Sequence, residues 1–307
     1  MSEYKTLIVN ENDASKRLDV FLTEKLANVS RNHVRKMIDL HLVSVNGKTP
    51  KPSYRLEEND IINYKELQIK EDNAPKKEAV PLDIIYEDKD IIVVNKPVGM
   101  VVHPHPGHDE GTLVNALLAH CDDLSTINGV KRPGIVHRLD KLTSGLIVAC
   151  KNDEAHKELA KAFASREVEK RYVALVVGEI KEDMGEIIAP IGRSKTHRLK
   201  MVIDKEEGKE AITKFKVLER YKGFTLVEIS LVTGRTHQIR VHFAYINHPL
   251  VGDELYGRGR QNIYKGGQLL HAKELSFLHP TTKKLVTFTS DLPKHFVDIL
   301  NILELKE

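Results

Sequence analysis

The chain has 307 residues, 41% hydrophobic and 30% charged, with 47 basic and 44 acidic side chains; that suffices for a large core plus a small satellite domain. No apolar run is long enough to span a bilayer, and the opening MSEYKTLIVNENDASKR lacks the charged-then-apolar layout of a secretory leader, so a cytoplasmic protein without membrane contact is expected. The two cysteines, Cys121 and Cys150, cannot form a disulfide framework, and a net charge of +3 does not by itself announce a polyanion binder; clustering decides that question.

Residues 15–65 read as a small module. In ASKRLDVFLTEKLANVS, Leu18, Phe21, Leu22 and Leu26 recur at helical spacing. Ser30 is a candidate N-cap for a second helix with Val34, Met37 and Ile38 as its inner stripe. Arg31 and Arg35, four apart, share the outer face, with Lys36 beside them. LVSVNGKTP then predicts a strand running into an Asn-Gly hairpin turn, and LEENDIINYKE a further short strand. The stretch 66–81 is charged, carries Pro75 and Pro81, and has few large apolar residues; it reads as a linker.

From 82 to 307 the pattern changes. DIIVVNKP, GLIVACK, KRYVALVVGEI, ITKFKVLER and FTLVEISLV predict strands. Helices are expected in TLVNALLAH behind a Thr112 cap, in DEAHKELAKAFAS with Ala155, Leu159 and Phe163 on one stripe, and in RTHQIRVHFAYI with Ile239, Phe243 and Ile246 on one stripe. Strands outnumber helices and do not alternate regularly with them. An α+β fold with a mixed, mainly antiparallel sheet follows.

Basic residues gather in three places: Arg31, Arg35 and Lys36; Lys131, Arg132, Arg138 and Lys141 around a lone Asp140; and GRSKTHRLKM, where Arg193, Lys195, Arg198 and Lys200 have no acid among them. One such cluster is an ordinary solvated face. Three of them favour a polyanionic partner. Cofactor signals are missing: VNGKT lacks the upstream glycine of a phosphate loop, and no GxGxxG follows a strand. His103, His105 and His108 of HPHPGH resemble a metal site superficially, but no cysteine or HExxH helix accompanies them, so no metal is expected. His237 and His242, five apart, do not share a helix face.

Asp140 stands out. It follows the apolar GIVHRL and precedes a small-residue turn, Thr143-Ser144-Gly145, that leads into a buried strand. Such a turn projects a side chain from a rigid sheet into a cleft. A carboxylate there needs a cation close by to ionise, and the candidates are Arg138, Lys141 or an arginine of TGRTHQIRVH. A structural Asp bridging the turn fits the spacing equally well.

Two resemblances sharpen this reading. RLDVFL, SRNHVRKMI and LVSVNGK…YRLEENDII resemble the S-four RNA-binding domain, which implies a basic helix face suited to RNA phosphates, with Arg31, Arg35 and Lys36 on it. RPGIVHRLDKLTSGLIVACK, KRYVALVVGEI and LVTGRTHQIRVHFAYINHPLVGDELYG are similar to the core motifs of the pseudouridine synthase family, in the branch that modifies large-subunit ribosomal RNA. NKPVGMVVHPHPGHDEGTLVNALLAH matches that branch too, and the likeness spans 82–290. It implies an isomerase that detaches uracil and rejoins it through carbon 5, with no cofactor and no metal. Asp140 would attack the sugar's anomeric carbon or take a sugar proton. Arg240 would pair with Asp140, Arg235 being the rival; Tyr172 would stack on the flipped uracil and its hydroxyl would help remove the carbon 5 proton; Arg138 would fill the gap the base leaves. Arg193, Lys195 and Arg198 would touch RNA backbone. The implied partner is large-subunit ribosomal RNA or an assembling ribosomal particle, with a monomer as the default state. The alternatives are an RNA-binding assembly factor with a vestigial synthase domain and, more weakly, a metal hydrolase built on the three loop histidines.

Overall fold

The structure is a computed structural model that describes residues 4–26, 29, 31–65, 74–105, 107–129, 132–197, 199–257 and 263–305. Contacts divide the chain after Asn73 into two compact units.

The first unit comprises β1 (Lys5–Ile8), α1 (Leu18–Lys25), α2 (Arg31–Asp39), β2 (Val43–Val45) and β3 (Ile61–Tyr64). The three strands form an antiparallel sheet in the order β1-β3-β2. Both helical stripes read from the sequence are buried: Leu18, Phe21 and Leu22 in α1, Val34, Met37 and Ile38 in α2. The N–H groups that open α1 are satisfied by loop carbonyls, Leu18 N–H donating to Tyr54 and Asp19 N–H to Pro52. Asn46 and Gly47 both have positive φ, 49° and 74°, as a two-residue type I′ turn requires. The turn closes on Lys48 alone, however, and the true partner of β2 is β3, fifteen residues on. Asn46 bridges that distance: its side chain donates to Asp60 at 2.7 Å and accepts from Ile61 N–H at 2.9 Å. The strand β1 precedes the expected start of the module at residue 15. Ser30 lies outside the described residues.

The second unit runs β4 (Ile84–Glu87), β5 (Ile91–Lys96), α3 (Leu113–His120), β6 (Ser144–Cys150), α4 (Asp153–Ala164), β7 (Glu169–Val177), β8 (Met184–Ile188), β9 (Ile191–Arg193), β10 (Met201–Ile203), β11 (Ile212–Tyr221), β12 (Phe224–Leu231), α5 (Gln238–Tyr245), β13 (Leu270–Leu278), β14 (Leu285–Thr289) and α6 (Lys294–Asn301). Nine of these strands form one sheet, ordered β4-β5-β6-β13-β7-β12-β11-β8, with β14 also on β13. The β6–β13 pair is parallel and the other described pairs of this sheet are antiparallel. The fold is therefore mixed α/β with a mainly antiparallel sheet. Gly145, φ 109°, is required where β6 meets β13, because a Cβ there would run into the backbone of Ala272.

Of the expected linker, 66–73 lies outside the described residues, and 74–81 is held to the second unit. Asn115, in the capping box of α3 with Thr112, donates to the Lys76 carbonyl and accepts Glu78 N–H on its own carbonyl. No helix among the described residues is long and apolar enough to cross a membrane.

Candidate active site

The 138–143 turn is built by its neighbours. Residues 134–137 run back along β6: Cys150 N–H donates to Gly134 O at 2.8 Å and Val148 N–H to His137 Nε2 at 3.0 Å. Leu139 is buried and anchors the turn in the main core. Thr143 N–H then closes on Asp140 O at 3.1 Å, and Gln268 Nε2 donates to Thr143 Oγ1 at 3.0 Å. Lys96, fully buried at the end of β5, donates from Nζ to the carbonyls of Pro97, Met100 and Lys141 at 2.9, 3.0 and 3.2 Å. Burial pushes its pKa down to about 7, against the opposing pull of the Asp140 charge.

Asp140 keeps 23% of its side chain exposed and meets Arg240 across the cleft, Nη1 donating to Oδ2 at 3.0 Å. The same guanidinium is clamped from behind. Its Nε and Nη2 donate to the two oxygens of Asp253 at 2.7 and 3.0 Å, and Asp253 is itself buried. Asp253 Oδ1 also accepts the N–H groups of Leu255 and Tyr256, both at 3.0 Å. This fork-to-fork geometry fixes the direction of Arg240. Burial opposes the guanidinium charge, but the hydrogen bonds and charges of Asp253 and Asp140 more than offset it and raise its pKa. Gly252, φ 78°, lets the turn before Asp253 pass against the Gly267 backbone. Arg235, the rival partner, instead donates from Nε to the Glu210 carbonyl at 2.9 Å.

His237 enters α5 in the left-handed region, φ 56°, an uncommon state for a residue with a Cβ. Its Nε2 lies 3.8 Å from Asp140 Oδ2, and its Nδ1 lies 2.9 Å from Tyr256 Oη. Tyr256 Oη accepts Met201 N–H at 2.9 Å, which leaves its own proton for His237 Nδ1. Burial lowers the His237 pKa in spite of Asp140. The neutral ring therefore carries its proton on Nε2, toward Asp140.

Tyr172 is buried in β7, registered with Ile229 of β12 and Ala272 of β13. It shares with Asp140 and Arg240 a pocket of about 70 Å³ floored by Leu231, Ile239 and Leu270. Burial raises its pKa, and the Asp140 charge raises it further; the hydroxyl stays protonated at neutral pH. Arg138 is exposed, with no partner among the described residues. It borders this pocket and a larger cavity of about 690 Å³ that also takes in His103, Arg132 and Arg193. The structure thus gathers Asp140 and Arg138 of one turn, Tyr172 of β7 and Arg240 of α5 from three separate segments.

The remaining basic residues divide. Arg193 lines the large cavity. Lys195 is not on its lining; its ammonium is 3.3 Å from Glu207 on the exposed surface. Arg198 lies outside the described residues. In the first unit, Arg31 and Arg35 approach the buried Asp19 at 2.9 and 3.5 Å, joined by Arg17 at 3.0 Å, while Lys36 is exposed. Burial of Asp19 opposes its charge, but the bonds from Arg17 and Arg31 hold its pKa far below the carboxylate range. One buried acid thus organises the arginines on that helix face.

His103, His105 and His108 do not gather their nitrogens at one point: His103 is buried at the cavity wall, and the rings of His105 and His108 meet edge to face at 4.9 Å. Two other groups of donor atoms do lie close together, Glu87–His120–Cys121 and Asp88–Asp90–His279. Lys151 already neutralises Glu87 at 2.7 Å, and His279 accepts two backbone N–H groups on Nδ1 while facing Asp88 with Nε2. Neither donor set fits a metal.

Sequence reasoning missed Asp253, Lys96, His237 and Tyr256. Asp253 offered a signal, an acid directly after a glycine turn in a largely apolar stretch (HPLVGDELYG), and so did Lys96, a cation closing the apolar run DIIVVNK. His237 and Tyr256 carried none beyond their motif.

The family model for RNA pseudouridylate synthases matches residues 90–245, and the S4 domain model matches 16–62. The chain is 48% identical to an uncharacterised RNA pseudouridine synthase, YlyB, of Bacillus subtilis, over 97% of each chain. It is 40% identical to a ribosomal large subunit pseudouridine synthase D of Zymomonas mobilis, over 91% of this chain and 90% of that one. Among solved structures, human RNA pseudouridylate synthase domain containing 1 is 27% identical, covers 75% of this chain and 98% of its own, and superposes with a TM-score of 0.57.

Proposed function

Since the chain belongs to the RNA pseudouridine synthase family and carries an S4 domain ahead of the synthase unit, we propose that it isomerises specific uridines of large-subunit ribosomal RNA and that Asp140 is the group that opens the glycosidic bond. The observation that carries the assignment of Asp140 is its position: a partly exposed carboxylate on a cavity wall, held at 3.0 Å by a guanidinium that is itself clamped by a buried acid.

In this reading the target nucleotide leaves its stack, at a cost of a few kcal/mol, and its ribose comes to rest beside Asp140. The carboxylate acts at the sugar, the bond from C1′ to N1 of uracil breaks, and the freed base turns within the pocket. Carbon 5 then bonds to C1′, the carbon 5 proton departs, and N1 takes up a proton. Atoms balance without any oxidant or co-substrate. Arg240 holds Asp140 by a charge-assisted hydrogen bond and aims it. Tyr172 offers a ring face over an apolar floor, suited to a planar base in either orientation. Arg138 is planar, exposed and unpartnered among the described residues, and it fills the stack the base vacates.

Large-subunit ribosomal RNA as substrate is supported by the names of relatives such as the Zymomonas enzyme, and it places the work in the cytoplasm. Arg31, Arg35 and Lys36 of the S4 domain and Arg193 at the cavity hold RNA backbone in this account. The test is tritium release from RNA labelled at uridine carbon 5. Wild type releases label and Asp140→Ala does not. Normal release by the variant overturns the role of Asp140, and a catalytically dead variant that fully restores ribosome assembly turns the reading toward an assembly factor.

A further inference from the structure

A second cavity, about 530 Å³, is also bordered by Arg138, Asp140 and Tyr172, and its wall includes His137 and Lys170, which the reaction above does not use. Strand alternation puts Lys170 on the face of β7 that carries Tyr172. Its neighbour Arg171, on the opposite face, has Glu274 at 3.3 Å and Glu228 at 4.0 Å. Lys170 has no carboxylate partner among the described residues. What surrounds its ammonium is the Phe163 ring, centroid 5.6 Å away, and the bare backbone of Gly234, where a Cβ would stand 3.8 Å from Nζ. Burial lowers its pKa, with no acid nearby to offset the effect. A partly desolvated cation without a counter-ion is unfavourable unless a ligand supplies one.

His137 stacks on the same Phe163 ring, centroids 4.6 Å apart and planes at 22°. Burial and the Lys170 charge push its pKa down to about 3, so the ring is neutral. Its Nε2 is occupied in accepting Val148 N–H. The proton therefore sits on Nδ1, which has no partner among the described residues. Of the other charges on this wall, Arg166 meets Glu210 at 2.7 Å, Arg235 donates to the Glu210 carbonyl and Asp140 meets Arg240, while Arg138 has no partner among the described residues. The part of the wall formed by Lys170 and His137 thus presents two donors side by side, which suits an anion. Uracil and ribose are neutral; the anion that an RNA strand brings is its phosphate.

We propose that Lys170 and His137 form a phosphodiester subsite that holds a phosphate flanking the target uridine. The proposal rests on the pseudouridine synthase reading. Lys170→Met keeps the stem against Phe163 and removes the charge, and Lys170→Arg returns a cation. On a large-subunit ribosomal RNA transcript, Lys170→Met is expected to raise KM about 10-fold. It should make log KM against log salt shallower by about 0.7–0.9, with kcat within about twofold of wild type. Lys170→Arg recovers most of both. Phosphate-ethylation interference adds a positional readout: one ethylated phosphate beside the target blocks wild type and costs Lys170→Met nothing further. If Lys170→Met fails to fold, Lys170→Gln carries the same expectations. An unchanged KM and salt slope, or a fall in kcat alone, overturns the subsite while leaving the wild-type activity standing. If wild type forms no pseudouridine in any such transcript, the underlying reading fails and the subsite falls with it.

Discussion

Asp253→Asn is the most informative single change in the site. The substitution keeps size and shape but removes the charge opposite Arg240. In the native protein Arg240 donates two short hydrogen bonds to Asp253 and one to Asp140, and both side chains of the Arg240–Asp253 pair are almost wholly buried. An amide offers one acceptor oxygen where the carboxylate offers two, and its NH2 must face either the guanidinium or the N–H groups of Leu255 and Tyr256. At least one charge-assisted bond is lost, at about 1.5–3 kcal/mol, and an incompletely paired buried guanidinium adds to that, so a stability loss of about 3 kcal/mol is expected. Arg240 then no longer aims at Asp140, and a displacement of an ångström at such a site lowers kcat by about 100-fold. Urea unfolding gives the first number and tritium release from carbon 5-labelled RNA the second. A variant with stability within about 0.5 kcal/mol of wild type and unaltered kcat refutes the clamp.

Other outcomes follow from the same geometry. Lys96 has its pKa lowered to about 7 in the folded protein, so the unfolded chain binds more protons between there and the ordinary lysine value of about 10.4; folding stability should rise across that window. Lys96→Met removes this rise, which unfolding measured at pH 7 and pH 9 in both proteins detects, and an identical pH dependence in the two argues against a buried lysine. Tyr172 is raised above the usual tyrosine range by burial and then by Asp140, so the kcat profile of wild type should show no alkaline limb from a tyrosine below about pH 10. Tyr172→Phe should accordingly retain more activity than Tyr172→Ala, and the reverse order excludes a stacking role. In the S4 domain, Arg31→Ala combined with Arg35→Ala should reduce the steepness of the salt dependence of RNA binding by about 1–2, measured by filter binding across a salt series; an unchanged slope places RNA elsewhere.

The elements that sequence disclosed are those whose periodicity is decided locally. The stripes of α1 and α2, the apolar run of β6 and the Thr112 cap each declare themselves within a dozen residues. β13 was not read, although it stands at the centre of the sheet: His271, Lys273, Glu274 and Ser276 dilute its pattern, and its place depends on parallel pairing with β6, more than a hundred residues earlier. β14 and β8 are largely exposed strands of only five residues each, whose apolar residues bury little, and β9 and β10 have three residues each. The Asn-Gly turn was legible as a turn but not as to its partner, because Asn46 selects β3 through side-chain bonds. In the site, the layout of the turn singled out Asp140, and the resemblance to the synthase family implied Tyr172, Arg138 and Arg240. Asp253 and Lys96 showed in the sequence only as charges in apolar stretches, and the groups they hold become visible only as hydrogen bonds across folded segments.

The most direct measurement maps pseudouridines in the large-subunit ribosomal RNA of cells that lack this gene and are supplied with either wild type or Asp140→Asn. One or more uridines should lose modification in the deletion, regain it with wild type, and stay unmodified with the variant. Equal recovery with Asp140→Asn, or no site lost from the deletion, contradicts the account.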